Sequence, residues 1–294
     1  MNIQWYPGHM TKTRRMIAEN LKYVDVVAEV IDARIPIASR NPDIDDLVGS
    51  KPRVVILNRA DQADPAASKL WGEYFRGRGM SVLECDARTG AGVKQFSPVM
   101  RGALKEQIAK WKEKGQVGRP VRAMVVGVPN VGKSTFINKV AKKKSAKAGD
   151  RPGVTRGKQW VTVDQGLELL DTPGILWPKF EDQTVAQHLA FTGAVRDAIM
   201  DVETLGCHLM ELLAQRKPEA VTARFKFTPE EGMTGWEMLE LGARKRGFLI
   251  SGGEVDLERM ANILLDEFRA GKMGRITLEL PSDLEKGAQT DGTP

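Results

Sequence analysis

Cysteine is nearly absent from this chain: Cys85 and Cys207 are the only two in 294 residues, far apart and in neither a CxxC nor a histidine-paired spacing. That excludes a disulfide framework and a thiolate zinc site, and fits a reducing compartment. No uninterrupted apolar run is long enough to span a bilayer, and the N-terminal Met-Asn-Ile-Gln-Trp-Tyr-Pro-Gly-His lacks the basic-then-apolar order of a secretory signal. The expectation is a cytoplasmic protein that neither crosses nor is anchored in a membrane. An aromatic RNA-recognition signature is also missing, so any nucleic-acid contact would read shape and backbone rather than bases.

With 41% hydrophobic and 28% charged residues, the chain has the composition of a soluble globule rather than a disordered one. Its 44 basic against 38 acidic residues give a formal charge of +6, compatible with phosphate-rich partners without establishing them. Compact apolar segments at 24–31, 53–57, 81–85, 123–127, 158–163 and 167–170 are spaced for crossover helices. They predict an α/β fold with a mostly parallel six-stranded sheet. An amphipathic helix over 11–22 precedes them, and a charged helix running into a Gly- and Pro-punctuated connector occupies 105–120. After Pro178 the leucines fall at helical spacings, as do Leu257, Met260, Leu264 and Phe268. The expected organisation is a nucleotide-binding domain over 1–178, a smaller all-α domain over 179–280 and a flexible tail over 281–294.

The strongest motif is Gly127-Val128-Pro129-Asn130-Val131-Gly132-Lys133-Ser134, preceded by an apolar strand and followed by Thr135-Phe136-Ile137 opening a helix. This is the GxxxxGKS phosphate loop in the context it requires. Its glycines admit backbone N–H groups to the phosphates, Lys133 brings a point charge, and Ser134 offers a hydroxyl to Mg2+. Downstream, Leu170-Asp171-Thr172-Pro173-Gly174 sets Asp171 where it can orient magnesium and the Gly174 N–H where it can sense a γ-phosphate. Between them Pro152-Gly153-Val154-Thr155-Arg156 reads as a switch loop in which Thr155 completes the magnesium shell.

The strand at 53–57 ends in Asn58-Arg59-Ala60-Asp61, close to the Asn-Lys-x-Asp motif of guanine-specific GTPases. A carboxylate at Asp61 can accept from guanine N1–H and from its exocyclic amine, a donor pair that adenine lacks. Arg59 replaces the usual lysine but can stack on the base at least as well. Cys85-Asp86-Ala87-Arg88 resembles the Ser-Ala-Lys element whose backbone N–H meets guanine O6, with Ala87 at that place.

The motif order is base loop, second base loop, phosphate loop, switch loop and Asp-x-Pro-Gly, which is that of circularly permuted P-loop GTPases. Together with Trp5-Tyr6-Pro7-Gly8-His9-Met10, Asp32-Ala33-Arg34-Ile35-Pro36 and Ser39-Arg40-Asn41-Pro42, it resembles the ribosome biogenesis GTPase A family over roughly residues 1–200. The resemblance implies a GTP-hydrolysing factor that binds the immature large ribosomal subunit and its rRNA, acts there and leaves. Off the ribosome it is expected to be monomeric.

Ile175 stands where Ras-like proteins carry the water-positioning glutamine. In the resembled family the histidine of the Pro-Gly-His motif takes part in hydrolysis, which implies that role for His9; a surface turn histidine is the competing reading. Asn130 resembles the K+-coordinating asparagine of cation-dependent GTPases, against the alternative of a loop-stabilising side chain. Residues 139–158 carry eight Lys or Arg against one acid, either a solvated helix end or a surface for rRNA phosphates. Arg224, Lys226, Arg244, Lys245 and Arg246 are expected to extend it. The alternative to a GTPase is an RNA-binding scaffold that holds guanine nucleotide without significant hydrolysis.

Overall fold

The computed structural model describes residues 8–141, 160–171, 183–195 and 201–284, with the side chains of 8–14 and 171 set aside. Strands β1 (Val26–Asp32), β2 (Arg53–Asn58), β3 (Ser81–Glu84), β4 (Val121–Val126), β5 (Trp160–Asp164) and β6 (Leu167–Asp171) form one sheet in the order β3-β2-β1-β4-β6-β5. Every neighbouring pair is parallel except β5–β6. The six-stranded, mostly parallel expectation holds.

Side-chain alternation explains why these runs are apolar at nearly every position. Val26, Ala28 and Val30 of β1, with Val54 and Ile56 of β2, face one layer that includes Phe96 and Phe136. Val27, Met124 and Val126 face helices α1 (Gly8–Leu21) and α2 (Ile44–Val48), while Ile31, Val55 and Leu57 meet Trp71 and Phe75 of helix α3 (Pro65–Gly77). A parallel sheet covered on both faces needs such unbroken hydrophobic strands. Helix α3 starts where Asp64 accepts from the Ala66 and Ala67 amides and Pro65 needs no donor.

The first three strands step outward from β1 to β3. The chain then returns through α4 (Phe96–Ala103) and α5 (Lys105–Glu113) to lay β4 against the other side of β1. That return is the join of the permuted order. It also sets the ends of β2 and β4 on either side of β1, the crevice where parallel sheets bind ligands.

Beyond α7 (Gln183–Phe191), helices α8 (Val202–Arg216), α9 (Pro218–Phe225), α10 (Gly235–Lys245) and α11 (Leu257–Arg269) pack together. Asp201, the Thr234–Glu237 capping box and Asp256 fix the starts of α8, α10 and α11. A Cβ on Gly206 would lie 2.6 Å from that of Ala261, so α8 and α11 meet at a contact only glycine allows. One apolar cluster runs from the sheet face into these helices. Residues 281–284, expected in a flexible tail, instead form a helical turn in which Arg216 pairs with Asp283 at 2.5 Å and Asp283 accepts from the Leu280 amide.

Arg224 and Arg246 are not the open cationic surface expected of them. Both grip the buried carboxylate of Glu267 on α11, at 2.5 and 3.0 Å. A buried charge requires such partners. Burial opposes ionisation of Glu267, yet the two guanidiniums outweigh it and hold the carboxyl down to about 2. Its folded-state value lies below the unfolded one, so this contribution is complete above about pH 4.5 and fades as pH falls toward 2. Acid titration followed by helical circular dichroism should show that loss, and Glu267→Gln should be less stable at neutral pH with a flatter acid limb.

Candidate functional site

The phosphate loop leaves β4 and enters α6 (Lys133–Val140) at the edge where β1 and β2 also end. Gly127 lies against β1: a Cβ there would sit 2.5 Å from the Val30 carbonyl oxygen. Gly132 has φ +88° and lies so close to the Asn58 amide that no side chain fits. Both glycines are therefore required by geometry. No side chain caps α6, unlike α3, α8, α10 and α11. Its first N–H groups and dipole end thus suit an anion. Lys133 is buried at the head of the helix, and Ser134 and Thr135 are exposed in its first turn.

The base loops show a division of labour that the motifs did not reveal. Asn58, 2% exposed, donates from Nδ2 to the Val131 carbonyl (2.7 Å), while its Oδ1 accepts from the Ala87 amide (3.0 Å). Asn58 and the Ala87 N–H, both expected to read guanine, are thus committed to each other and to the phosphate loop. Buried polar atoms must be satisfied, and here the staple that joins three loops does so. Asp86, in the Cys85–Arg88 element whose resemblance places it in the nucleotide site, is occupied in its own turn. Oδ1 accepts from the Arg88 amide and Oδ2 from the Thr89 amide and hydroxyl, at 2.5–3.2 Å. Burial alone would raise the Asp86 carboxyl, but these hydrogen bonds hold it below the usual range.

Asp61 remains the carboxylate available to a base. Its partner is Arg88, at 3.1 Å, with the Arg88 side chain 73% exposed. An ion pair so exposed contributes about 1 kcal/mol or less, so a ligand can displace it cheaply. Arg59, at φ +61°, reaches from the base loop to the Asn130 carbonyl (2.8 Å) and lies 3.5 Å from Asp32. Burial pulls its guanidinium down from its ordinary value, against the attraction of Asp32. Asn130, at φ +61°, donates from its side chain to the Gly193 carbonyl (2.7 Å), just past α7. Pro129 and Val131 complete the loop, with Val131 buried.

Between these loops lies a cleft of about 340 Å³, lined by Asp61, Ala87, Gly132, Thr135, Arg269 and Ala270 among others. It runs from the base loops to the phosphate loop, and one wall belongs to the end of α11. Arg269 donates to the carbonyls of Phe191 (3.1 Å) and Ala190 (2.7 Å), tying α11 to α7 beside that wall. Sequence reasoning missed this wall. It also missed the staple beneath it, where Arg34 pairs bidentately with Asp32 (3.0 and 2.7 Å), donates to the Phe268 carbonyl (3.2 Å) and stacks on the Phe268 ring. The Asp-Ala-Arg-Ile-Pro motif was the available signal.

Asp171 ends β6 opposite Val125 of β4, which brings its backbone beside the strand feeding the phosphate loop. Thr155, Gly174, Ile175 and most of the basic stretch (142–158) lie outside the described residues, as does the side chain of His9, whose backbone belongs to α1. No helix among the described residues is long and apolar enough to cross a membrane.

Residues 122–224 match the family described as 50S ribosome-binding GTPase. The chain is 45% identical over 97% of its length to "Ribosome biogenesis GTPase A" of Priestia megaterium, covering 99% of that protein. It is 32% identical to the Thermotoga maritima protein of that name, with 96% of each covered. A solved GDP-bound YlqF structure superposes with a TM-score of 0.67 at 30% identity, over 92% of this chain and all of that one.

Proposed function

The chain belongs to the ribosome biogenesis GTPase A family and is a GTP hydrolase, and from that premise we propose that it is a guanine-nucleotide switch for assembly of the large ribosomal subunit. The observation that carries the proposal is the single edge at which the base loops and the phosphate loop meet, stapled by Asn58, around one cleft. The family description naming the 50S ribosome supports the choice of subunit.

In this reading Asp61 accepts from guanine N1–H and the 2-amino group. The N–H groups of 130–135 and the Lys133 ammonium hold the phosphates. Ser134, Asp171 and Thr155 hold Mg2+, which neutralises phosphate charge, and Thr155 with the Gly174 N–H reports the γ-phosphate. His9 supplies the hydrolytic function that Ile175 lacks. Asn130 meets K+ through its amide oxygen, since its nitrogen is engaged by Gly193. The GTPase unit spans 1–178. The helices from 179 form an RNA-binding part that extends at least to residue 284, with the basic stretch at 139–158 meeting rRNA phosphates. The protein works in the cytoplasm, as a monomer when off the ribosome.

Single-turnover hydrolysis in potassium buffer tests this reading. Large ribosomal subunits should raise the rate by about two orders of magnitude, the scale of a positioned acid–base group. His9→Ala should lose most of that stimulation while still binding GTP. A rate indifferent to subunits would favour the non-hydrolysing RNA scaffold, which the absent glutamine otherwise recommends.

A further inference from the structure

The stretch after α11, residues 270–280, runs as a strap along the base loop rather than away from it. Arg275 donates from Nε to the Ala63 carbonyl (2.9 Å) and from Nη2 to the Ala60 carbonyl (2.7 Å), bracketing Asp61 and Gln62. The Ile276 amide donates to the Gln62 carbonyl (2.8 Å). Thr277 Oγ accepts from the Asp64 amide (3.0 Å) and lies within donating distance of the Ala33 carbonyl (3.3 Å). The carbonyls at 60, 62 and 63 are therefore all held by a segment more than 200 positions away. Inside the base loop itself, the Ala60 amide donates to Cys85 and the Gln62 amide to Arg59.

We propose that Arg275 is a positioning residue for guanine recognition: by clamping the loop on both sides of Asp61, it makes the helical region set how well the protein distinguishes guanine from other purines. The inference rests on Asp61 as the base reader. Two hydrogen bonds from one base to one carboxylate require the carboxylate to be held in angle as well as place, and hydrogen bonds weaken steeply once bent. A loop fixed only at its strand end would still admit a nucleotide through its phosphates. It would lose discrimination at the base. Arg269 and Ala270, which form the cleft wall, lie on the same strap and helix end. A ligand that orders the base loop must then favour docking of the helical region, and anything that pulls this region away must loosen guanine by the same factor.

Inosine diphosphate is the probe, because it keeps N1–H and the diphosphate but lacks the 2-amino group. The wild-type chain should prefer GDP over IDP by roughly ten- to a hundredfold, the worth of one charge-assisted hydrogen bond. Arg275→Ala should lower GDP affinity about tenfold and IDP affinity much less, narrowing the preference toward unity, with little change in melting temperature because Arg275 is exposed. Arg275→Lys, whose single ammonium can reach one carbonyl but not both, should recover part of the preference. Equal losses for GDP and IDP, or no loss, would overturn the clamp and leave Asp61 as base reader intact. A wild-type chain that binds GDP and IDP equally would overturn the base-reading assignment itself, and the clamp with it.

Discussion

Replacing Asp61 by asparagine is expected to lower GDP affinity about a thousandfold and to make xanthosine diphosphate the better ligand. The carboxylate offers two acceptors to guanine N1–H and the 2-amino group. Asparagine offers one acceptor and one donor, so the 2-amino group meets an N–H and both are left unpaired, a mismatch that sites built on hydrogen bonds penalise by several orders of magnitude. Xanthine carries a carbonyl at that ring position and restores the match. The scaffold around position 61 should not move. Its ion pair with Arg88 is exposed, and the loop backbone is held through Ala60, Gln62 and Ala63. Competition of labelled GDP by unlabelled xanthosine diphosphate in wild type and variant measures the exchange of preference. Unchanged GDP binding would remove Asp61 from the site.

Lys133→Ala is expected to weaken GDP binding about a hundredfold and to abolish measurable hydrolysis. Lys133 opens α6 at the buried head of the phosphate loop, where its ammonium can meet β- and γ-phosphate oxygens. GDP offers only the β-phosphate, and one charge-assisted hydrogen bond at about 1.5–3 kcal/mol accounts for the affinity loss. The larger loss in rate follows because charge develops on the same oxygens in the transition state. Equilibrium titration with fluorescent GDP and a phosphate-release assay separate the two effects. Because Lys133 is buried, the melting temperature of the nucleotide-free variant should be recorded alongside. A variant that folds and still turns over GTP would contradict the assignment.

Much of this arrangement was legible in the sequence because it is local. Short unbroken runs rich in β-branched residues, such as Val54-Val55-Ile56-Leu57, read as strands buried on both faces, and the loop motifs fall at strand ends, as parallel sheets require. Strand edges shifted by a residue or two for identifiable reasons. Asp25 accepts from the Arg122 amide and pairs with Arg119, so Val24 lies ahead of β1, and β4 begins at Val121 with Arg122 pointing outward. What the sequence concealed were partners far along the chain. Nothing near Asn58 shows that its amide spends both ends on Val131 and Ala87, and nothing near Arg224 or Arg246 points to Glu267. A basic residue looks equally available whether it faces solvent or a buried carboxylate. The strap is the extreme case: Arg275 and Ala60 are 215 positions apart, and such a contact leaves no periodic trace.

The central claim, a switch that exchanges nucleotide state for ribosomal affinity, is tested most directly by co-sedimentation with immature and mature large subunits across a range of salt. Immature subunits should retain the protein with a non-hydrolysable GTP analogue and release it with GDP, and the affinity should fall steeply with salt as rRNA phosphate contacts are screened. Equal retention with both nucleotides, or none on either subunit, would contradict it.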